Sequence, residues 1–480
     1  MNFFTDYQSA KFGCGLWSVV CGLSKYYLMI DVIAVFDIGK TNKKILLFDK
    51  NLKLVFQQEQ MLEEIKDDDG FACDDIDKIE KWMVDTVKNL VAGSEYNIKA
   101  VNFATYGASQ AYLDEQGKRL TPVYNYLKPM PPAVLEGFYE KYGGVEEFCR
   151  KTASPAMGML NSGLQTLWLM KEKPAVYAKV KTVINFPQYL SYCFTGKVLS
   201  EYTYLGCHTS LWDFDNMQYH KWLKDYGISL PEPVESGITN PVSIEGKKVE
   251  IGIGIHDSSA SLVPYFTVSK DPFVLLSTGT WFVVMNPFNG EPLTAEQLRS
   301  NGLAYMSVYK KPVKSSLLFL GFVHQVNAKN ISDFFCVEED FFKKVKLDEA
   351  LLKKMLATDQ IFFKKGIPSD HVDKEVDLEQ FSSADEAYHQ MVVDLTRVAV
   401  NAFKMVLAKN DTTKTVYISG GFARNTIFTR LMATMLPDKK VYTSEIDNAT
   451  ALGAALAIWK NAYGVDAPLT DLGLNEIKEL

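Results

Sequence analysis

The sequence predicts an α/β protein of two domains with a cleft between them, and three observations support this fold class. The chain has 480 residues, which is too long for one compact core and suits two. Its first hydrophobic runs have the order strand, strand, strand, helix, strand. A strand, a turn rich in Gly and Thr, and a second strand then occur twice, around Gly39 and around Gly279. We expect one copy of this turn in each of two related domains.

The amino-terminal elements follow from hydrophobic periodicity. Residues 32–36, 45–48 and 52–56 are short apolar runs separated by turn residues, which predicts an antiparallel meander. Residues 74–92 have the spacing of an amphipathic helix behind acidic capping residues, and 98–104 form another buried strand. This order is typical of the start of an actin/hexokinase-type ATPase domain. We therefore expect two RNase H-like domains with the catalytic cleft between them.

The remaining elements complete this plan. Residues 133–235 are rich in aromatic side chains and mainly helical in pattern, and we interpret them as an insertion that forms a lid or a wall of the site. Further strands and helices are predicted at 249–255, 273–277, 281–285, 415–419, 425–436, 441–443 and 450–459. The expected boundaries are a disordered extension over 1–30, a sugar-side domain over 31–264 and an ATP-side domain over 265–480.

Composition excludes several classes of protein. The formal net charge is −7 and no long basic run occurs, which argues against nucleic acid as a partner. The seven cysteines are scattered and form no CxxC pair, so neither a disulfide framework nor a zinc site is indicated. Reduced thiols of this kind fit a cytoplasmic protein.

The first residues carry a short apolar run at 14–23, which is too short to span a bilayer. It lacks the basic flank of a signal peptide. We expect Met29 to be the natural start and residues 1–28 to be a loosely attached extension, with a membrane anchor as the minor alternative.

The first turn, DIGKTNKK, has the composition of a phosphate-binding hairpin. Gly39 lets backbone N–H groups approach an anion without a Cβ in the way. Thr41 and Asn42 add side-chain donors, and Lys44 adds positive charge. Asp37 at the strand end can hold the hydration shell of Mg²⁺. A single hairpin of this type is more often structural than functional.

The second turn, STGTW, places Gly279 among hydroxyl groups, including that of Thr280. Near the carboxyl terminus, SGGFARN puts Gly420 and Gly421 between a strand and a helix, where a flat base or a ribose could lie against the backbone. Each turn alone is common. Four such turns in a fixed order are much more specific.

The remaining turn, GIHDSSA, precedes STGTW in the chain and has a carboxylate directly after a buried strand. Asp257 can accept the proton of a hydroxyl group that attacks a phosphate. The alternative is that Asp257 only caps the helix that starts at Ser258, and it could do both.

These motifs together resemble the FGGY carbohydrate kinases over about residues 31–460. DIGKTN, TYGASQAYLD, STGTW and GGFARNT are most similar to the branch of L-fuculokinases and L-rhamnulokinases. The resemblance implies ATP-dependent phosphorylation of a monosaccharide hydroxyl, with ATP and Mg²⁺ as cofactors. The sugar would be a ketose or deoxyketose such as L-rhamnulose or L-fuculose. It also implies a cytoplasmic enzyme with no membrane partner, and it leaves a homodimer open.

The same resemblance implies roles for individual residues, with Asp257 as the proton acceptor. The implied sugar site consists of Gly107, Ser109, Gln110, His256 and Asp257. The phosphates and Mg²⁺ would be held by Asp37, Gly39, Thr41, Asn42, Lys44, Gly279 and Thr280, with Asp37 at the metal. The adenosine end would meet Gly420, Gly421 and Asn425.

The chain departs from the branch at several positions. Ser109 stands where an Asp is usual, and residues 124–128 replace a Tyr-Arg-Asp type of sugar contact. These changes predict a different hydroxyl pattern, a deoxy position, or a carboxyl group paired with Lys128. Phe422 replaces a third Gly and Asn448 replaces a Glu, so a non-catalytic sugar or nucleotide sensor remains the alternative. An actin-like or chaperone ATPase fits His256 and Asp257 less well.

Overall fold

The structure is a computed structural model that describes residues 29–279, 281–358, 360–364, 366–367 and 376–480. Residues 1–28 of the predicted extension lie outside the described residues, whereas Ile30, which was expected to belong to the extension, already lies in the first strand. Two large sheets organise the rest, one in each half of the chain. This architecture confirms the predicted α/β fold class.

The first half contains fifteen strands and nine helices among its described residues. The strands are β1 Ile30–Ile38, β2 Lys43–Asp49, β3 Leu54–Gln60, β4 Ile65–Lys66, β5 Ala72–Cys73, β6 Tyr96–Thr105, β7 Gln110–Leu113, β8 Thr182–Asn185, β9 Ser200–Glu201, β10 Trp212–Asp213, β11 Gln218–Tyr219, β12 Pro233–Val234, β13 Thr239–Ile244, β14 Lys247–Gly252 and β15 Ile255–His256. The helices are α1 Ile76–Ala92, α2 Pro132–Leu135, α3 Gly144–Thr152, α4 Ser162–Glu172, α5 Pro174–Tyr177, α6 Phe186–Thr195, α7 Tyr202–Leu205, α8 Trp222–Asp225 and α9 Asp257–Val268.

The described part of the second half adds seven strands and six helices. The strands are β16 Phe273–Thr278, β17 Phe282–Asn286, β18 Gly302–Met306, β19 Pro312–Leu318, β20 Thr415–Gly420, β21 Lys440–Ser444 and β22 Leu474–Ile477. The helices are α10 Ala295–Arg299, α11 Leu320–Phe335, α12 Glu349–Leu356, α13 Ala384–Val406, α14 Thr426–Met435 and α15 Ala449–Tyr463.

The two sheets repeat one topology. In the first, the order is β13-β14-β6-β1-β2-β3, and β15 also pairs with β6. In the second, the order is β18-β19-β17-β16-β20-β21-β22. Each sheet has an antiparallel meander, β1-β2-β3 or β16-β17-β19, whose first strand also pairs in parallel with a later strand. The β-β-β-α-β order predicted for the start of the chain is therefore correct.

Helix α1 shows why the local prediction succeeds. Asp75 accepts a hydrogen bond from the Lys78 N–H at 3.2 Å and caps the first turn. One face of the helix is buried against the first sheet. The buried residues are Ile76, Ile79, Met83, Val87 and Val91. Their spacing is that of a single helical face, as the sequence indicated.

Helix α15 lies in the second half of the sequence but packs on the first sheet. It contacts α9, β6 and β1, and it shares an apolar cluster with Ile33, Val35 and Ile255. The Asn102 side chain donates a hydrogen bond to the Ala454 carbonyl at 2.8 Å. The last long helix therefore joins the two halves of the molecule.

The described residues include no helix that combines the length and the apolar character needed to cross a bilayer.

Candidate active site

Two carboxylates lie at the same edge of the first sheet. Asp37 ends β1, and Asp257 follows β15 and begins α9. Asp37 and Ile255 both pair with Ala104 of β6, from opposite sides. Because parallel strands lie about 4.8 Å apart, this register brings the carboxyl ends of β1 and β15 close together. The structure thus places the two predicted aspartates in one site.

The environment of these aspartates alters their protonation. Burial, together with the nearby negative charge of Asp257, raises the pKa of Asp37 to about 7, and Lys44 opposes this effect. Burial raises the pKa of Asp257 to about 6 against hydrogen bonds from Ser258. The Ser258 N–H donates to Asp257 Oδ1 at 2.6 Å. A third of the Asp257 side chain is exposed, so its carboxylate can meet a ligand.

His256 is held beside Asp257. Its Nε2 lies 3.1 Å from Asp257 Oδ1 and 2.9 Å from Cys207 Sγ. Its Nδ1 lies 3.2 Å from the Ser259 hydroxyl. Burial lowers the pKa of His256 to about 3, so the ring is neutral at physiological pH. His256 can orient Asp257 but carries no charge of its own.

Glu201 supports the same segment, although no sequence motif indicated it. Its buried carboxylate accepts hydrogen bonds from the Ser236 and Thr203 hydroxyl groups, both at 2.5 Å. The Thr203 hydroxyl in turn accepts a bond from the His256 N–H at 3.0 Å. A relay of buried polar groups therefore fixes the backbone that leads into Asp257.

Gly107 lies against the wall of the site. A Cβ at this position would stand 2.4 Å from Cys207 Sγ and 3.2 Å from His208 Cε1, so a side chain does not fit. Ser109 and Gln110, which the resemblance also assigned to the sugar, are both fully buried. The structure does not bring these two side chains to the surface of the cleft.

Buried neighbours surround Ser109 and Gln110. The Ser109 backbone exchanges hydrogen bonds with the Tyr204 hydroxyl at 2.7–2.8 Å. The Gln110 amide binds Thr166 at 2.8 Å and Asn185 at 3.2 Å. The Gln110 amide is thus satisfied by the interior, whereas the Ser109 hydroxyl is buried without a hydrogen-bond partner among the described residues.

The segment 124–128 reaches the site through Tyr126. This side chain is half-buried, and burial followed by the charge of Asp257 raises its pKa. Lys128, which was expected to bind a substrate carboxylate, is instead buried. Its ammonium group forms ion pairs with Asp67 at 2.6 Å and with Asp69. That expectation is wrong, because two aspartates that lie far away in the sequence already neutralise this lysine.

The first hairpin is a tight turn closed by its own backbone. The Gly39 N–H donates to the Asn42 carbonyl at 2.9 Å, and a Cβ on Gly39 would stand 3.0 Å from that oxygen. Thr41 and Asn42 are exposed at the tip. Lys44 of β2 lies directly opposite Asp37 of β1 in the antiparallel register. The five predicted residues therefore share one side of the cleft.

The lysine beside Lys44 has a different role. Lys43 is buried and binds Asp74 at 2.8 Å, with 2% and 5% of the two side chains exposed. The Tyr106 hydroxyl also donates to Asp74, at 2.7 Å. This ion pair anchors the hairpin to the segment before α1, and Tyr106 links the same carboxylate to the turn between β6 and β7.

We expect Lys43→Met to lower the free energy of unfolding by about 3 kcal/mol, because it leaves a buried carboxylate without its main partner. The control is Lys50→Met at an exposed position, which should change stability by less than about 0.5 kcal/mol. Urea unfolding of both variants measures the difference. Equal midpoints would show that the pair contributes nothing to stability.

The second turn is tied to the Gly420-Gly421 turn. The Thr278 hydroxyl donates to the Ser419 carbonyl at 2.5 Å and accepts from the Phe422 N–H at 2.9 Å. Gly420 has a φ of 86°, and a Cβ there would stand 2.0 Å from the Thr278 carbonyl. Gly279 is exposed at the tip of its own turn, whereas Thr280 lies outside the described residues.

A cavity of about 620 Å³ begins at these turns. Gly279, Gly421 and Asn425 line it, so three of the residues assigned to the nucleotide meet at one cavity. Its size is within the range of small-molecule sites. Other residues that line it and that the sequence did not indicate are Gly321, His324, Gln325, Phe342 and Tyr388.

Helices α11 and α13 supply the far wall of this cavity. The Tyr388 hydroxyl accepts a hydrogen bond from the Asn425 side chain at 2.9 Å and lies 2.9 Å from His324 Nε2. Neither helix carries a recognisable motif, because these side chains converge only through packing. A flat, polar ligand such as a nucleoside fits this lining.

The two departures in the second half leave the turns intact. The Phe422 side chain points into the core and packs on Phe282 and Phe428, while its backbone keeps the turn. Asn448 begins α15 with a φ of 65°, a conformation that Asn tolerates better than most residues. The arrangement thus presents a carboxylate pair beside a glycine-containing hairpin in the first half, and two linked turns beside a nucleoside-sized cavity in the second half.

Comparison with known proteins agrees with this geometry. Residues 32–232 match the amino-terminal domain of the FGGY family of carbohydrate kinases, and residues 270–466 match the FGGY carboxyl-terminal domain. A rhamnulokinase of Halalkalibacterium halodurans is 23% identical, with 88% of this chain and 92% of the relative covered. A rhamnulokinase of Oceanobacillus iheyensis is 21% identical, with 87% and 90% covered.

Solved structures share the fold. A carbohydrate kinase from Novosphingobium aromaticivorans superposes with a TM-score of 0.77 at 23% identity, covering 94% of this chain and 95% of the other. A xylulose kinase from Lactobacillus acidophilus superposes with a TM-score of 0.78 at 17% identity, covering 94% of each chain. The likeness extends over both halves and the cleft between them.

Proposed function

The chain belongs to the FGGY family of carbohydrate kinases, and we propose that its ATP-dependent reaction phosphorylates an uncharged ketose or deoxyketose bound against Asp257. The protein is an enzyme that uses ATP and Mg²⁺. The relatives named above act, by their names, on rhamnulose and xylulose, which are both uncharged ketoses. The observation that carries the proposal is the exposed, raised-pKa carboxylate of Asp257 at the edge shared with Asp37.

We assign the residues as follows. Asp257 accepts the proton of the attacking sugar hydroxyl, and neutral His256 orients it. Asp37 and Lys44 face the phosphate side of the cleft, and Gly39 allows the backbone to approach. Asp37 would hold the cation of bound MgATP, which would supply the phosphoryl group.

The second half contributes the nucleotide side. Gly420 and Gly421 form a turn with no side chain at the mouth of the cavity, and Asn425 adds an amide beside Tyr388. Gly279 lies at the edge of the same cavity. We also propose a domain boundary between residues 264 and 265. This boundary separates the two sheets, although α15 of the second half packs on the first sheet.

The preference for an uncharged sugar follows from the side chains near Asp257. The lysines of the sugar-side segments, Lys43 and Lys128, are each bound to aspartates. His256 and His208 are neutral, because burial lowers the pKa of both to about 3. A sugar carboxylate would therefore be repelled by Asp257, and Lys43, Lys128, His208 and His256 would not offset the repulsion.

A coupled assay of ADP release tests this proposal. The panel contains L-rhamnulose, L-fuculose, D-xylulose and L-xylulose, with gluconate and galacturonate as acid counterparts. We expect turnover of at least one ketose and none of the acids. A preference for an acid, or the absence of turnover with every ketose, would contradict the proposed substrate class.

We further propose a cytoplasmic location and a homodimer. Sedimentation at micromolar concentration will test the oligomeric state.

A further inference from the structure

Tyr305 brings a side chain of the second half to the sugar side of the cleft. It lies on β18, and only 2% of its surface is exposed. Its ring centroid is 5.1 Å from that of His256 and 6.2 Å from that of His208. Both histidines belong to the first half, and His256 Nε2 is 3.1 Å from Asp257.

The backbone holds β18 tightly against this wall. A Cβ on Gly206 would stand 2.5 Å from the Cβ of Met306, the residue after Tyr305. Helix α7 and β18 are in contact along this line. Tyr305 therefore has little freedom to move away from the site.

The Tyr305 hydroxyl has no hydrogen-bond partner among the described residues. Burial, followed by the nearby Cys207 and Asp257, holds its pKa well above the usual value, so the phenol remains a donor. The hydroxyl is not shielded from solvent, so a bound ligand can reach it. A ligand oxygen over Asp257 would satisfy it.

We propose that Tyr305 is a substrate-binding residue that donates a hydrogen bond to a carbonyl or hydroxyl oxygen of the sugar. This inference rests on the proposed function, because it requires a sugar over Asp257. The carbonyl oxygen of an open-chain ketose can only accept hydrogen bonds, and Tyr305 supplies the matching donor. Sugar recognition is then shared between both halves of the chain, and the half that holds the nucleotide takes part in selecting the sugar.

Tyr305→Phe removes the donor and keeps the ring. We expect kcat/KM for the preferred ketose to fall about 10–100-fold, since the sugar oxygen loses its partner. KM for MgATP and the Tm should remain close to wild type. The loss should be largest for the ketose that wild type prefers, because the bond is specific to one oxygen.

Tyr417→Phe is the matched control, since Tyr417 is a buried phenol of the same apolar cluster on β20. This variant should retain wild-type kinetics on each ketose. If Tyr305→Phe also retains wild-type kcat/KM on each ketose that wild type phosphorylates, Tyr305 is only a packing residue and the inference is wrong. If wild type phosphorylates no ketose, the proposed function fails first, and this inference fails with it.

Discussion

Replacing Asp257 by Asn will lower kcat about 10²–10⁴-fold while leaving the binding of MgATP intact. The reason is that the amide cannot accept the proton of the sugar hydroxyl, which is the contribution of a general base. The side chain keeps its size, and the helix it begins keeps its place. Steady-state kinetics with the ketose panel and titration with MgADP measure the two properties separately.

An exposed aspartate near the far end of the same helix serves as the control. Asp271 lies just after α9 and is exposed. Asp271→Asn should behave as wild type in both measurements. If Asp257→Asn keeps more than about a third of the wild-type rate, Asp257 is not the base.

The pKa of Asp257 also predicts two pH effects. Because the base must be ionised, kcat/KM should rise with pH through about 6 and then level off.

The contribution of Asp257 to stability should show the opposite dependence on pH. The folded-state pKa lies above the usual 3.8, so ionisation above pH 6 opposes folding, and this penalty disappears as the pH falls toward 4.

Asp257→Asn should therefore raise the Tm at pH 8, and the gain should vanish near pH 4. Removal of this charge also relieves the repulsion with Asp37. Thermal unfolding at the two pH values gives the result. A variant that is less stable than wild type at pH 8 would show that the carboxylate contributes to the fold rather than straining it.

Gly453→Ala will destabilise the protein by about 3 kcal/mol or more and will lower activity. The added Cβ would stand 1.8 Å from the Ala260 carbonyl oxygen, and this backbone atom cannot rotate away. Helices α15 and α9 must then separate. Because Asp257 is the first residue of α9, the shift reaches the catalytic carboxylate.

Gly290→Ala is the control, since nothing lies within 4 Å of the Cβ it would add. It should be neutral in unfolding by urea and in kinetics. The Gly453 variant should have a lower Tm and a lower kcat together. Wild-type values for both would mean that the two helices are not packed as closely as the structure shows.

The sequence was informative wherever structure and site depend on neighbouring residues. Gly39, Gly279 and Gly420 follow strands whose hydrophobic runs are local, so the turns and their order could be read directly. The same holds for Asp37 and Asp257, each at the end of such a strand. That both aspartates lie at one sheet edge is seen only in the structure, through the register of β1 and β15 with β6.

The sequence was uninformative where distant segments meet. The partners of Lys128 are Asp67 and Asp69, about 60 residues earlier, and nothing in the local pattern reveals this pairing. Tyr388 lines its cavity from a helix without a motif, and Tyr305 contacts His256 from a strand without a motif. Contacts of this kind depend on packing in three dimensions, and hydrophobic periodicity contains no information about them.

Because α15 of the second half packs on the first sheet, the first half depends for its folding on a helix that is synthesised much later. The last strand of the first sheet ends at His256, whereas α15 begins at Ala449. At about 5–20 residues per second, a ribosome needs roughly 10–40 s to translate the interval. During that time the apolar face around Ile33 and Val35 lacks its final cover. The first half therefore cannot reach its native form co-translationally until α15 has been synthesised, and nascent chains arrested before residue 449 should depend on chaperones to stay in solution.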